Sequence, residues 1–335
     1  MSAARGARNT AQIRMLGAVA AGAVLALVAG CAAGAAQPDD AGSADTRVIE
    51  THYGEVTVPS DPQRIAAVSY NTVWQLQSLD VTPVAAQDYS RWAQEYTDEQ
   101  NAFIDGVETV GSFGELNYEA IAAAEPDLIV GDAYEIEEEV YEQLSAIAPT
   151  AIYFGDSRGD WQTVVDGLAD ATGAQDALAN SRDAYETTIA DLQRSYAEVI
   201  FDRQWAAITA GDGDAEFAVL FQTGEIGATL RDLGVAIAPE VPEPGEERAA
   251  FGYGNYSLEY VDEYLGGADI ILTPANADGS TWPPLEEVFG NSLFQALPAA
   301  QAGDVYEVHA NIRSYSDAAE YLDRLEDEVL VHVDP

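Results

Sequence analysis

Three observations predict an α/β protein of two lobes joined by one long rigid α-helix. Short apolar strands alternate with helical segments from residue 65 to 154. Between residues 160 and 199 apolar positions recur at helical spacing and no strand fits. The alternation then resumes at Trp205 and runs to the end of the chain. Alternating strands and helices build a mostly parallel sheet covered on both faces. A break in that rhythm, filled by one helical stretch, separates two such sheets.

The elements follow in order. Segments 48–51 and 56–58 flank His52-Tyr53-Gly54-Glu55 with alternating apolar positions, which predicts a hairpin. Strands are expected at 65–69, 83–87, 127–131 and 149–154, with helices at 72–79 and 135–147. In the linking stretch Val164, Leu168, Leu178, Tyr185, Ile189 and Leu192 share a helical period, and the break expected is near Thr172-Gly173. This reads as one helix, or two end to end. Beyond it come strands at 205–210, 218–221, 269–273 and 305–308, a helix at 226–233 closed by Gly234, and a terminal helix at 317–331. The plan is two Rossmann-like lobes, residues 47–159 and 201–335, with a linking helix over 160–200.

The first forty-six residues stand apart. Arg5, Arg8 and Arg14 precede an apolar run over 15–28 that ends in small residues. That run is short for a bilayer span and reads as a secretory signal over residues 1–30. Cys31 closes it in Leu27-Val28-Ala29-Gly30-Cys31 and is the sole cysteine in the sequence, so no internal disulfide can form. The pentapeptide resembles a bacterial lipobox, which implies lipidation at Cys31. Residues 31–46, rich in Ala, Gly, Asp and Ser, read as a flexible tether. Removal of the signal takes away three arginines and no acid, moving the formal charge from −44 to −47. Nucleic acid is not an expected partner of such a surface. An anionic ligand would need locally placed arginines against this field, and every basic residue apart from histidine is an arginine.

The two halves echo each other. Asn117-Tyr118-Glu119 opens a short helix that leads to Asp127 and an apolar strand. Ser257-Leu258-Glu259 opens another, leading to Asp269 and an apolar strand. In each, a polar cap sits two residues before a glutamate that complements the helix dipole. Together with Gly54 to Pro59, Pro62-Gln63-Arg64-Ile65, the run from Gly111 to Ile129, Leu144 to Thr150, Leu297-Pro298-Ala299 and Gly303-Asp304-Val305-Tyr306, this pattern resembles the class III solute-binding proteins of ABC importers. That family serves ferric siderophores, haem and cobalamin. The resemblance covers the mature chain. It implies a ligand cleft between the lobes, delivery to a permease dimer, a lipid-anchored extracytoplasmic location, and one permease-docking glutamate per lobe, here Glu119 and Glu259. It also implies no cofactor of the protein's own and no directly bound metal, with iron arriving only inside the chelate.

In open α/β sheets ligands lie beyond the carboxyl ends of the strands. The loops there are rich in aromatic and basic residues. The expected ligand contacts are Tyr70, Tyr89, Arg91, Trp92, Phe113, Tyr134, Arg158, Tyr253, Trp282, Arg313 and Tyr315. Aromatics suit a large, partly apolar chelate, and Arg91, Arg158 and Arg313 suit its oxygens. Hydroxamate-binding relatives often carry an arginine within the stretch that here reads Ser112-Phe113-Gly114-Glu115, so that contact is missing or moved. The acidic field favours a neutral or cationic complex, of hydroxamate or mixed type. Haem or cobalamin is the alternative within the family.

A hydrolase is the reading from another class. Gly155-Asp156-Ser157-Arg158-Gly159 matches G-x-S-x-G after an apolar strand, and His309 lies downstream. No HGGG-type oxyanion segment accompanies it. A direct zinc or manganese site would want clustered histidines, and His52, His309 and His332 are scattered.

Overall fold

The computed structural model describes residues 45–93, 96–237, 241 and 251–334, without the Trp92 side chain. The signal segment, Cys31 and nearly all of the tether lie outside them.

The expected hairpin is present. Strands β1 (Thr46–Thr51) and β2 (Gly54–Pro59) pair antiparallel around the predicted turn. The His52 N–H donates to the Ile152 carbonyl (2.8 Å), which ties the hairpin to the first lobe.

The first lobe holds a fully parallel sheet of β3 (Ile65–Ala67), β4 (Ala85–Ala86), β5 (Glu108–Thr109), β8 (Leu128–Asp132) and β9 (Thr150–Tyr153), in the order β5-β4-β3-β8-β9. A small hairpin, β6 (Gly111–Ser112) with β7 (Glu115–Leu116), stands beside it. Helices α1 (Thr72–Ser78), α2 (Asp98–Ile104), α3 (Tyr118–Ala123) and α4 (Glu138–Ser145) complete the lobe. Buried β8 is an unbroken apolar run up to Gly131, as parallel strands covered on both faces require.

The linking stretch, expected as one helix or as two end to end, is three: α5 (Trp161–Thr172), α6 (Gln175–Ser195) and a short α7 (Ala197–Asp202) that the sequence reading did not separate. The break falls at Gly173, whose φ of +79° is left-handed. Glycine takes that conformation without the penalty a β-carbon brings. The Ala174 N–H then reaches back to the Ala169 carbonyl, closing α5 before α6 begins.

The second lobe is mixed rather than parallel throughout. Strands β10 (Gln204–Ala210), β12 (Ala236–Ile237), β14 (Ile270–Pro274) and β15 (Val305–Val308) run parallel. Strands β11 (Glu216–Leu220) and β13 (Tyr253–Ser257) extend the sheet antiparallel beside β10. Helices α8 (Glu225–Leu233), α9 (Val261–Leu265), α10 (Leu285–Gly290), α11 (Ser292–Gln295), α12 (Pro298–Ala302) and α13 (Tyr315–Leu325) surround it. The expected terminal helix ends at Leu325 and passes into a π-turn over Glu326–Leu330.

The internal echo has a structural basis. Asp127, just before β8, accepts the N–H groups of Gln63 and Arg64 at the entry to β3 (2.8 and 2.9 Å). Asp269, just before β14, accepts the N–H of Gln204 at the start of β10 (2.8 Å). Each aspartate therefore fixes two adjacent parallel strands at their N-terminal ends.

Strand alternation divides the buried residues. Ile65, Ala67 and Val130 face inward to α5 and α6, while Ala66, Val68 and Ile129 face the opposite side under α3 and α4. The inward set is continuous with Val165, Leu168, Tyr185 and Leu192, and onward to Trp205 and Leu272 of the second lobe. One core thus runs from sheet to sheet through the helical layer. Opening the lobes would expose part of it, which disfavours large hinge motion.

Candidate functional site: the cleft between the lobes

The lobes also meet along a backbone strap beside the cleft. The Gly159 N–H donates to the Thr223 carbonyl (2.7 Å). A β-carbon at Gly159 would lie 2.9 Å from the Thr223 carbonyl carbon, so glycine suits this approach. The strap carries Arg158 to the boundary between the lobes. Its guanidinium stacks 4.3 Å from the Tyr134 ring of the first lobe and 5.4 Å from the Phe251 ring of the second. Tyr134 and Phe251 touch edge to face at 5.7 Å. Cation–π attraction therefore helps hold the lobes at this point.

A cavity of about 460 Å³ opens beside Arg158. Tyr70 and Asn71 after β3, Tyr134 and Glu135 after β8, and Phe113 of the small hairpin form its first-lobe wall. Glu225 and Ile226 at the start of α8, with residues 310–313 after β15, form the other. A second cavity of about 760 Å³ shares Tyr70, Ala310 and Asn311 and extends to Trp282 and His309. The two are one cleft, at the strand ends where the sheet topology places it.

Below it the aromatic side chains are layered. Tyr89 and Tyr96 pack on Trp74, with centroids 5.2 and 4.6 Å away. The Tyr70 and Tyr96 hydroxyls are 2.6 Å apart, and the Tyr89 hydroxyl donates to the Tyr70 carbonyl (2.8 Å). Arg313 lies over Trp74 at 5.6 Å. It is 5 % exposed, and its buried Nε has no hydrogen-bond partner. Its backbone N–H donates to Asp317 (3.0 Å), whose carboxylate forms no ion pair among the described residues. Burial lowers the guanidinium's proton affinity, and Asp317 opposes the shift.

Three carboxyl groups complete the electrostatics. Asp132 accepts the N–H groups of Tyr134 and Glu135 (3.1 and 3.3 Å). Burial, reinforced by Glu135, pushes it up to about 7. Glu135 accepts the Tyr70 N–H (2.6 Å) and the Gln87 amide (3.0 Å). Burial raises it, with those bonds pulling the other way. Burial also raises Glu225, against the attraction of Arg158.

Of the residues expected from sequence, Tyr70, Phe113, Tyr134, Arg158 and Arg313 share the first cavity, and Trp282 lines its extension. Others lie elsewhere. Tyr89 is buried beneath the cleft floor. Tyr315 is buried in the helical layer against Trp161 at 5.0 Å, its hydroxyl within hydrogen-bond reach of Arg182 (3.2 Å) and Asp166 (3.3 Å). Tyr253 sits in the edge strand β13 opposite Leu220, where the sequence suggested a loop. Arg91 is exposed on a short 3-10 turn and lines neither cavity, and the Trp92 side chain lies outside the described residues. Asn71, Asn311 and Ile312 lie in loops that the strand-end rule selects but are not among the expected contacts, and Glu135 and Glu225 are not legible as site residues in the sequence. Glu135 falls within the helix expected at 135–147, whereas α4 starts only at Glu138.

Glu119 and Glu259 are both exposed, away from the cleft walls. Asn117 accepts the Ala120 N–H (3.0 Å), and Ser257 accepts the Glu259 N–H (3.3 Å), so both expected caps form. The hydrolase arrangement does not assemble. The Ser157 hydroxyl is directed to Asp160 (3.3 Å) in a capping box, while the His309 Nδ1 meets the Ala275 carbonyl (3.1 Å).

Residues 65–312 match the model of the family described as periplasmic binding protein. A Bacillus subtilis relative, assigned by name to the substrate-binding lipoproteins of ABC transporters, is 25 % identical over 298 residues, 86 % of this chain and 90 % of the relative. The ferric enterobactin-binding periplasmic protein of Escherichia coli O6:H1 is 26 % identical, covering 83 % of this chain and 89 % of its own. Among solved structures, the siderophore periplasmic binding protein from the fuscachelin gene cluster of Thermobifida fusca superposes with a TM-score of 0.68 at 28 % identity, over 82 % of this chain and 99 % of that one.

Proposed function

Because the chain belongs to the periplasmic binding protein family, we propose that it is an extracytoplasmic, lipid-anchored solute-binding protein that captures a ferric siderophore and delivers it to an ABC importer. The observation that carries this reading is Arg313. A buried guanidinium with an unpartnered Nε, on the wall of an aromatic cavity, is costly to the free protein. An anionic or carbonyl oxygen of a chelate would satisfy it. Arg158 supplies a second cation to the same cavity from the other lobe, and Tyr70, Phe113 and Tyr134 supply apolar surface. The names of two of the similar proteins point the same way, one ferric enterobactin-binding and the other a siderophore periplasmic binding protein. Hydroxamate or mixed-type complexes fit the strongly acidic chain best.

Family membership makes this a binding protein rather than an enzyme. Glu119 and Glu259 are the proposed contacts with a permease dimer, one from each lobe, and Cys31 is the proposed lipid attachment. Tryptophan quenching against ferric hydroxamate, mixed-type and catecholate siderophores, haem and cobalamin tests the assignment, with Trp282 as the reporter at the cleft. At least one ferric siderophore should bind. Quenching by haem or cobalamin alone would replace the ligand while leaving the family intact.

A further inference from the structure

The cleft contains more charge than a chelate's oxygens would neutralise. Glu135 and Glu225 approach the same cavity as Arg158 and Arg313, one from each lobe. Among the described residues neither carboxylate forms an ion pair. Glu135 is met only by two neutral donors, the Tyr70 N–H and the Gln87 amide. Among the described residues no other residue donates a hydrogen bond to the Glu225 carboxylate, which is met by its own backbone N–H, and Arg158, although it attracts that carboxylate, is turned onto the Tyr134 and Phe251 rings. Arg313 is likewise unmatched at Nε. The cleft therefore holds buried or half-buried charges of both signs that make no direct ion pair with one another among the described residues. Unpaired charges in such a place are unfavourable unless something else completes them.

Resting on the reading above, we propose that the ligand carries a cationic arm, an ammonium or guanidinium, which lodges against Glu135 and Glu225 while Arg158 and Arg313 hold the chelate oxygens. The cleft then selects cationic or zwitterionic ferric chelates over anionic ones. Burial raises both glutamates, so each has more to gain from a cation than an exposed carboxylate has. The opposing account is that both are protonated and donate hydrogen bonds to the chelate. A glutamine replacement separates the two, since it keeps a donor and loses the charge.

The test uses two probes that differ by one charge. Ferrioxamine B is a ferric trihydroxamate with a free ammonium at one end, and its N-acetylated form has the same iron coordination without that charge. Each is titrated into the mature protein, into Glu225→Gln, and into Glu135→Gln/Glu225→Gln. The wild type should bind ferrioxamine B about tenfold or more tightly than the acetylated form, the scale of one charge-assisted contact. That ratio should fall to within about twofold in the double variant, with affinity for the acetylated form retained. Glu225→Gln, which breaks no hydrogen bond to another side chain, should give an intermediate ratio and guards against misfolding of the double variant. Equal wild-type affinities, or a ratio that survives both substitutions, overturn the cationic arm and leave the siderophore reading standing. Failure of both probes to bind overturns the hydroxamate preference and the cationic arm together.

Discussion

Replacing Arg313 by methionine separates what the residue does for folding from what it does for binding. In the free protein the guanidinium is 5 % exposed and its Nε has no partner. A buried donor left unsatisfied costs about 1–3 kcal/mol, more when charged. Against that, the residue lies over Trp74 at 5.6 Å. A cation–π contact of this kind contributes roughly 0.5–2 kcal/mol. Methionine keeps apolar contact with the ring, and the backbone N–H that reaches Asp317 is untouched. The loss is the electrostatic attraction to Asp317, whose carboxyl burial already raises. These effects are of similar size and opposite sign, so the melting temperature should stay the same or rise slightly. Binding should behave differently. One or more charge-assisted bonds to ligand, at about 1.5–3 kcal/mol each, correspond to a dissociation constant raised roughly 10- to 150-fold. Differential scanning fluorimetry and a fluorescence titration with the best-bound ferric siderophore measure both. Adding Asp317→Asn checks the carboxylate's share of any stability change. A melting temperature lower by more than about 5 °C, with affinity unchanged, would show that Arg313 serves the fold and not the ligand.

Three further outcomes are expected. Asp132 is raised to about 7 in the folded protein, above the roughly 3.9 of a free aspartate. Its ionisation therefore opposes folding. The stability it contributes while protonated is lost progressively as pH rises from about 4 to 7, so Asp132→Asn should gain on the wild type over that window and level off above it, by at most roughly 4 kcal/mol. Urea unfolding at several pH values reads this, and a pH-independent difference contradicts it. Reversing charge at both Glu119 and Glu259 should abolish uptake of the ligand by cells while binding by the purified protein stays near wild type, whereas a large loss of affinity would place these residues at the cleft instead. Cys31→Ser should release the mature domain from the membrane fraction, and unchanged membrane association would refute lipid attachment.

The sequence by itself determined the architecture and the general place of the site. Alternating or unbroken apolar strands and period-3.6 helices are local signals, so the hairpin, β8, β10 and α8 could be read directly, as could the break at Gly173. Asp127 and Asp269 were visible as an echo, because a short polar side chain before a buried strand leaves the same mark in each half. The tertiary structure decided the rest. Tyr253 to Ser257 form a strand only because β11 offers an edge to pair with, and Gly254 and Asn255 carry no intrinsic strand signal. Tyr315 and Tyr70 look alike as aromatic residues in loops at strand ends. One is packed into the helical layer by Trp161 and Tyr185, and the other opens on the cavity. Glu135 and Glu225 resemble the many solvated acids of this chain until the lobes come together and take their water away. Burial and charge pairing are set by residues distant in the chain, so no local pattern could reveal which arginine would be left without a partner.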